Sequence, residues 1–110
     1  MSLLPSFARD HKGACKRAGR AIRKRVLWAS SEGYTGFIYR FDDRHPSTRD
    51  GQRGKSLYKA TVYAEVARAL GLEADVIKTP AGGVVRVWWI NNSATPKFQK
   101  HRHWHSDEFT

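Results

Sequence analysis

A chain of 110 residues with 40% hydrophobic and 12% aromatic content is long enough for one domain with a modest core. Twenty Lys and Arg against ten Asp and Glu leave a formal charge of +10, which points to a polyanionic partner. No apolar run approaches the roughly 18 residues that a bilayer span needs. The single cysteine, Cys15, excludes an intrachain disulfide and makes a reducing cytoplasm the default setting.

The opening MSLLPSFA is too short and interrupted for the apolar core of a signal peptide. A first helix is expected from Ser6 or Phe7 to Val26. Eight of the twenty basic residues lie between Arg9 and Arg25. On a helical wheel Arg9, Lys12, Lys16, Arg17, Arg20, Arg23 and Lys24 fall within an arc of about 140°. Ala14, Cys15, Ala18, Ala21, Ile22 and Val26 fall opposite. Leu27 would land inside the cationic arc, so the helix is expected to stop before it. A short strand over residues 26–29 would then turn back through Ser31, Glu32 and Gly33. Crowded cations repel one another unless phosphates neutralise them. The apolar side is mostly Ala and Cys and lacks the Trp, Phe and Leu that anchor a helix in a membrane surface. The row therefore reads as a grip for nucleic acid.

Residues 34–41, YTGFIYRF, form an aromatic strand with Phe37, Tyr39 and Phe41 on one face and Ile38 and Arg40 on the other. The stretch is similar in its aromatics to the RNA-binding strand of RNA-recognition motif domains. Arg40 stands where that motif requires an aromatic, and the order of elements differs, so the family is set aside. Residues 42–55 read as a polar loop whose Arg44, His45, Arg49, Arg53 and Lys55 make a second cationic group. Gly54, Lys55 and Ser56 match the end of a phosphate-binding P-loop. The required glycine spacing and the preceding strand are both missing, which excludes nucleotide hydrolysis on that basis.

A second helix is expected from an N-cap at Ser56 to Leu70, with Gly71 as its C′ glycine and Leu72 as the following apolar contact. Its apolar residues run around most of the circumference, so it belongs to the core. EADVIKT and VVRVWWIN then pair as a hairpin through Pro80, Ala81, Gly82 and Gly83. The second strand is the more apolar and suits the middle of the sheet, where every neighbouring pair would be antiparallel. Its Val85, Val87 and Trp89 face the core, while Arg86 and Trp88 share the other side. A cation beside an exposed aromatic suits the stacking of single-stranded bases. Residues 93–110 carry no periodic pattern and read as an irregular tail.

Two constellations are weak. His101, His103 and His105 alternate in that tail, but no second pair of ligands closes a metal site. Asp42, Asp43, Asp50 and His45 lie in a glycine-rich loop without a positioned partner for nuclease chemistry. The sequence thus predicts an α+β fold: a small antiparallel sheet of three or four strands packed by one core helix, with an N-terminal basic amphipathic helix. Residues 1–30 form the basic segment, 31–92 the core and 93–110 the tail, within a single domain. Residues 34–91 are expected to fold without the first helix.

The expected function is non-enzymatic nucleic-acid binding, to RNA or DNA, with no cofactor, metal, small-molecule substrate or membrane partner. Its expected contacts are Lys12, Lys16, Arg17, Arg20, Arg23, Lys24, Arg49, Arg53, Lys55, Arg86 and Trp88. The alternative is a small inhibitor or adaptor that docks on a polymerase, nuclease or RNA-guided complex, at its nucleic-acid site or an acidic surface.

Overall fold

The computed structural model describes residues 11–43, 55–89 and 95–100. Helix α1 spans His11–Ser31, and strand β1 Gly36–Asp42 follows. Helix α2 covers Ser56–Ala69. The hairpin strands are β2 Glu73–Thr79 and β3 Gly82–Trp88, and a short β4 spans Phe98–Lys100. The strands lie in the order β2-β3-β1-β4. The α+β class, the basic helix and the central position of β3 agree with the sequence.

Four details of the reading are corrected. First, α1 does not stop at Val26, and no strand forms over residues 26–29. The helix runs to Ser31 because Gly33, at φ +87°, ends it. The Gly33 and Tyr34 amides donate to the carbonyls of Ser30 and Ala29, at 3.0 Å each, the paired bonds of a glycine-terminated C-cap. Gly71, at φ +88°, closes α2 in the same way, with Gly71 bonding Arg68 and Leu72 bonding Ala67. The extra turn of α1 seats Ala29 fully in the core and leaves Leu27 74% exposed. One bare leucine is tolerable on a surface that is largely apolar in any case.

Second, the sheet is mixed. β3 pairs antiparallel with both β2 and β1, as expected, but β4 pairs parallel with β1. The chain reverses direction between β3 and β4 and lands on the far side of β1. A strand antiparallel to β3 is then necessarily parallel to β1. Third, residues 98–100 are therefore sheet and not tail. Thr35 fastens them through two of its polar groups: its amide donates to the Lys97 carbonyl at 2.9 Å, and its Oγ1 accepts from the Lys97 amide at 2.8 Å. Fourth, Ser56 is the first residue of α2 and not its cap. Lys55 occupies the cap position, but its side chain does not cap the helix. The Asp43 carboxylate instead accepts from the Ser56 amide at 3.2 Å, placing a negative charge at the positive end of the helix.

Both helices cover one face of the sheet. Phe37, Tyr39, Phe41, Val85 and Val87 point into that layer and meet Ala18, Ile22 and Ala29 of α1 and Ala60, Val62, Ala64 and Ala67 of α2. The small residues bring the α2 backbone close to the sheet. Tyr63 reaches down to Tyr39 and Phe41, with ring centroids 4.9 and 5.0 Å apart. The hairpin loop is only Pro80 and Ala81, since Thr79 already pairs with Gly82. Gly82 is in the strand because a Cβ there would overlap the Phe41 carbonyl and lie 2.7 Å from Ser56 Cβ.

Helix α1 is a working part of this core, mainly through Arg25. That side chain is 4% exposed. Its guanidinium carbon lies 5.1 Å from the Tyr39 ring centroid, 5.4 Å from Phe37 and 5.3 Å from Trp28. Its Nε donates to Gln99 Oε1 at 2.7 Å. Gln99 in turn donates to Glu32, whose other oxygen accepts from the Trp28 indole at 3.0 Å. Among the described residues, Arg25 Nη2 finds no hydrogen-bond partner.

Three stability outcomes follow from this packing. Gly82→Ala should cost at least about 1–3 kcal/mol, because the backbone atoms it meets cannot move aside. Arg25→Ala, which empties the space between the rings and orphans Gln99, should cost about 3–5 kcal/mol. Arg25→Met keeps the volume without the charge and should recover much of that loss. Urea unfolding followed by circular dichroism measures all three. An Arg25→Ala chain as stable as the parent would show that the helix is held by its alanines alone.

Candidate nucleic-acid interface

The cationic row survives folding. Lys12, Lys16, Arg17, Arg20, Arg23 and Lys24 are all exposed, while Ala18, Gly19, Ile22, Arg25 and Ala29 are buried on the other side of α1. The helix has no acidic residue. Among the described residues, no carboxylate lies within ion-pair distance of Lys12, Lys16, Arg20, Arg23 or Lys24. At 1.5 Å per residue the row from Lys12 to Lys24 is about 18 Å long, near half a turn of duplex. Arg9 lies outside the described residues.

The packing that fixes this row is specific. Gly19 faces α2, where a Cβ would touch Val66 at 3.8 Å. Near the N-terminal end His11 Nδ1 meets the Tyr58 hydroxyl, and Cys15 Sγ lies 3.6 Å from His11 Nε2. Tyr39 donates to the Ala21 carbonyl at 3.3 Å in the middle. Arg25 holds the far end. The helix cannot roll about its axis without breaking these contacts, so the cations keep one heading.

The remaining expected contacts do not join this row. Arg86 and Trp88 alternate with the buried Val85 and Val87, so they lie on the sheet face opposite the helices. Arg86 donates to both oxygens of Asp75, its cross-strand neighbour, at 3.0 and 2.5 Å. That hydrogen bond is the main reason its pKa is raised. Trp88 is half-buried, and its ring meets Phe98 edge-on at 5.9 Å. Gly36 between them leaves the room, since a Cβ there would come within 2.9 Å of both. The Arg86 guanidinium also sits 5.7 Å from the Phe98 ring. Trp88 is thus partly covered by the segment expected to be a tail. Lys55 lies at the start of α2, and Arg49 and Arg53 lie outside the described residues, as do His101, His103 and His105.

Arg25 and Phe98 were missed by the sequence reading. Arg25 had a signal: on the wheel it falls about 160° from Arg9, amid the alanines and not with its fellow cations. Phe98 had none beyond its aromatic character. Among the described residues, no group of three or more His, Cys, Asp or Glu is placed to hold a metal ion, and no helix is long and apolar enough to cross a membrane.

Asp75→Asn should change stability by no more than about 1 kcal/mol, because both members of the Arg86 pair are more than a third exposed. A larger loss in a thermal melt would mean that this pair sets the hairpin register. Comparison with protein-family models, curated proteins and solved structures finds no match for this chain.

Proposed function

We propose that this protein is a non-enzymatic nucleic-acid-binding protein that grips the phosphate backbone through the exposed row on α1, in the reducing cytoplasm where Cys15 stays a thiol. One observation carries the reading: six cations stand outward on an acid-free helix whose other side is locked into the core. With the helix backbone fixed in this way, only the side chains lose freedom when phosphates arrive, and the phosphate charge relieves the row's self-repulsion. Nothing in the row singles out a particular base edge, so the reading rests on charge and shape, with RNA and DNA both accepted. Arg86, Trp88 and Phe98 form a separate, weaker surface for an unpaired base, with Arg86 partly neutralised by Asp75.

Filter binding across a salt series tests this. With about five row cations on phosphate, log K should fall with log[salt] at a slope near −4.5 for duplex DNA and near −3.5 for single strands. Arg17→Glu, Arg20→Glu and Lys24→Glu together should flatten the slope and weaken binding at least about a hundredfold, with the melting temperature held or raised. A slope near zero in the parent chain would remove the reading. The second reading, an adaptor or inhibitor docking on a protein complex, is favoured by one feature: the bare Leu27 at the end of the row.

A further inference from the structure

Beside the C-terminal half of the cationic row lies an aliphatic groove. It forms where α1 meets the end of α2 and the start of β2, and it is lined by Ile22, Arg23, Val26, Leu27, Leu70 and Leu72. Its volume is about 370 Å³, within the range of ligand-binding clefts. Leu27 is 74% and Leu70 37% exposed, though each sits beside a helix end where a polar residue would serve equally well. Leucines placed on both walls of an open cleft mark a recognition surface.

The lining chooses among occupants. It contains no aromatic ring, which disfavours the stacking of bases. A lipid surface is met by protruding side chains and Trp or Phe anchors, whereas this site is concave. A second copy would bring another strongly basic surface to the same place. Among the described residues the charge beside the groove is positive: Arg23 forms part of the wall, and Arg20 and Lys24 lie within a turn of it on α1. Of the nearby acids, Glu73 pairs opposite Trp88 and so faces the other side of the sheet. Glu65 lies more than a turn before Leu70 on α2.

We infer that this groove is the docking site for an acidic amphipathic helix of a partner protein. Apolar side chains at i, i+3, i+4 and i+7 enter between Leu27 and Leu70, and flanking Asp or Glu residues reach Arg23 and its neighbours. The inference goes beyond nucleic-acid binding: its apolar contacts use leucines that carry no charge for phosphate, while Arg23 and its neighbours are shared with the phosphate grip.

The test is fluorescence anisotropy on the full chain, with a labelled peptide of roughly 18 residues as probe, Leu at those spacings and Glu elsewhere. A scrambled peptide of the same composition is the control. The amphipathic peptide should bind at least about tenfold tighter than the scrambled one. Leu27→Ser and Leu70→Ser, both at exposed positions, should abolish that preference while leaving duplex-DNA affinity and its salt slope unchanged. Arg23→Glu should weaken the peptide as well. Equal binding of both peptides, or none at about 1 mM, would overturn the inference. So would a preference that survives Leu27→Ser. Leu27-dependent adsorption to phosphatidylglycerol vesicles without a peptide preference would assign the groove to lipid and overturn it too. Loss of DNA binding by the parent chain would instead strike the phosphate grip and leave the groove standing.

Discussion

The Arg25 guanidinium, enclosed by Trp28, Phe37 and Tyr39, is the interaction on which the arrangement of this molecule rests. A buried cation is costly unless its surroundings replace water. Here ring faces supply part of that replacement, and Gln99 supplies a hydrogen bond. Because Gln99 belongs to β4 and the rings belong to α1 and β1, a single side chain joins a helix, a central strand and an edge strand. Three residues of β4 have little intrinsic stability. Their place in the sheet depends on Gln99 entering this network and on the clamp at Thr35.

The same constraint sorts the charges of α1. The helix is too rich in like charge to be stable alone. Lys12–Lys16, Lys16–Arg20 and Arg20–Lys24 oppose one another at i,i+4, and Arg17–Arg20 and Arg20–Arg23 do so at i,i+3. At about 0.2–0.5 kcal/mol each, these pairs work against the helix by roughly 1–2.5 kcal/mol at low salt. Core contacts offset that cost. A row held together against its own repulsion is a surface that a bound polyanion would stabilise, so the proposed reading links binding to folding stability.

Much of the architecture was legible because the signals were local. The second helix followed from its all-round apolar residues and from Gly71. The hairpin followed from two β-branched runs around Pro80, and the facing of Phe37, Tyr39 and Phe41 followed from strict alternation. The end of α1 was misjudged for a physical reason. The exposure of Leu27 was weighed as prohibitive, whereas the bonds made at Gly33 and the burial of Ala29 outweigh it. The parallel β4 was invisible because three residues carry no period, and their pairing depends on Thr35, more than sixty positions away. Of the candidate site, the row on α1 was fully legible, since a wheel contains all the information needed. The cover that Phe98 gives to Trp88, and the hold of Asp75 on Arg86, arise only from register.

That register also bounds the interface. The α1 row and the Arg86–Trp88 surface lie on opposite sides of the sheet, separated by the whole aromatic core. A straight duplex lying along α1 cannot reach Trp88. A single strand reaching both would have to pass around an edge of the sheet. On the β4 side it would cross the exposed Lys97 and Lys100 together with the exposed Glu32 bonded to Gln99, and on the β2 side Glu73 and Lys78, also exposed and opposite in sign. With two cations to one acid among the described residues, the β4 side is the less opposed route. On the proposed reading, a duplex would meet only the six described cations of α1, and a single strand alone could add the Arg86–Trp88 surface to them. On that reading, the separation of the two surfaces by the fold is what would distinguish a duplex from a single strand. The sheet that holds α1 rigid also keeps the two surfaces apart.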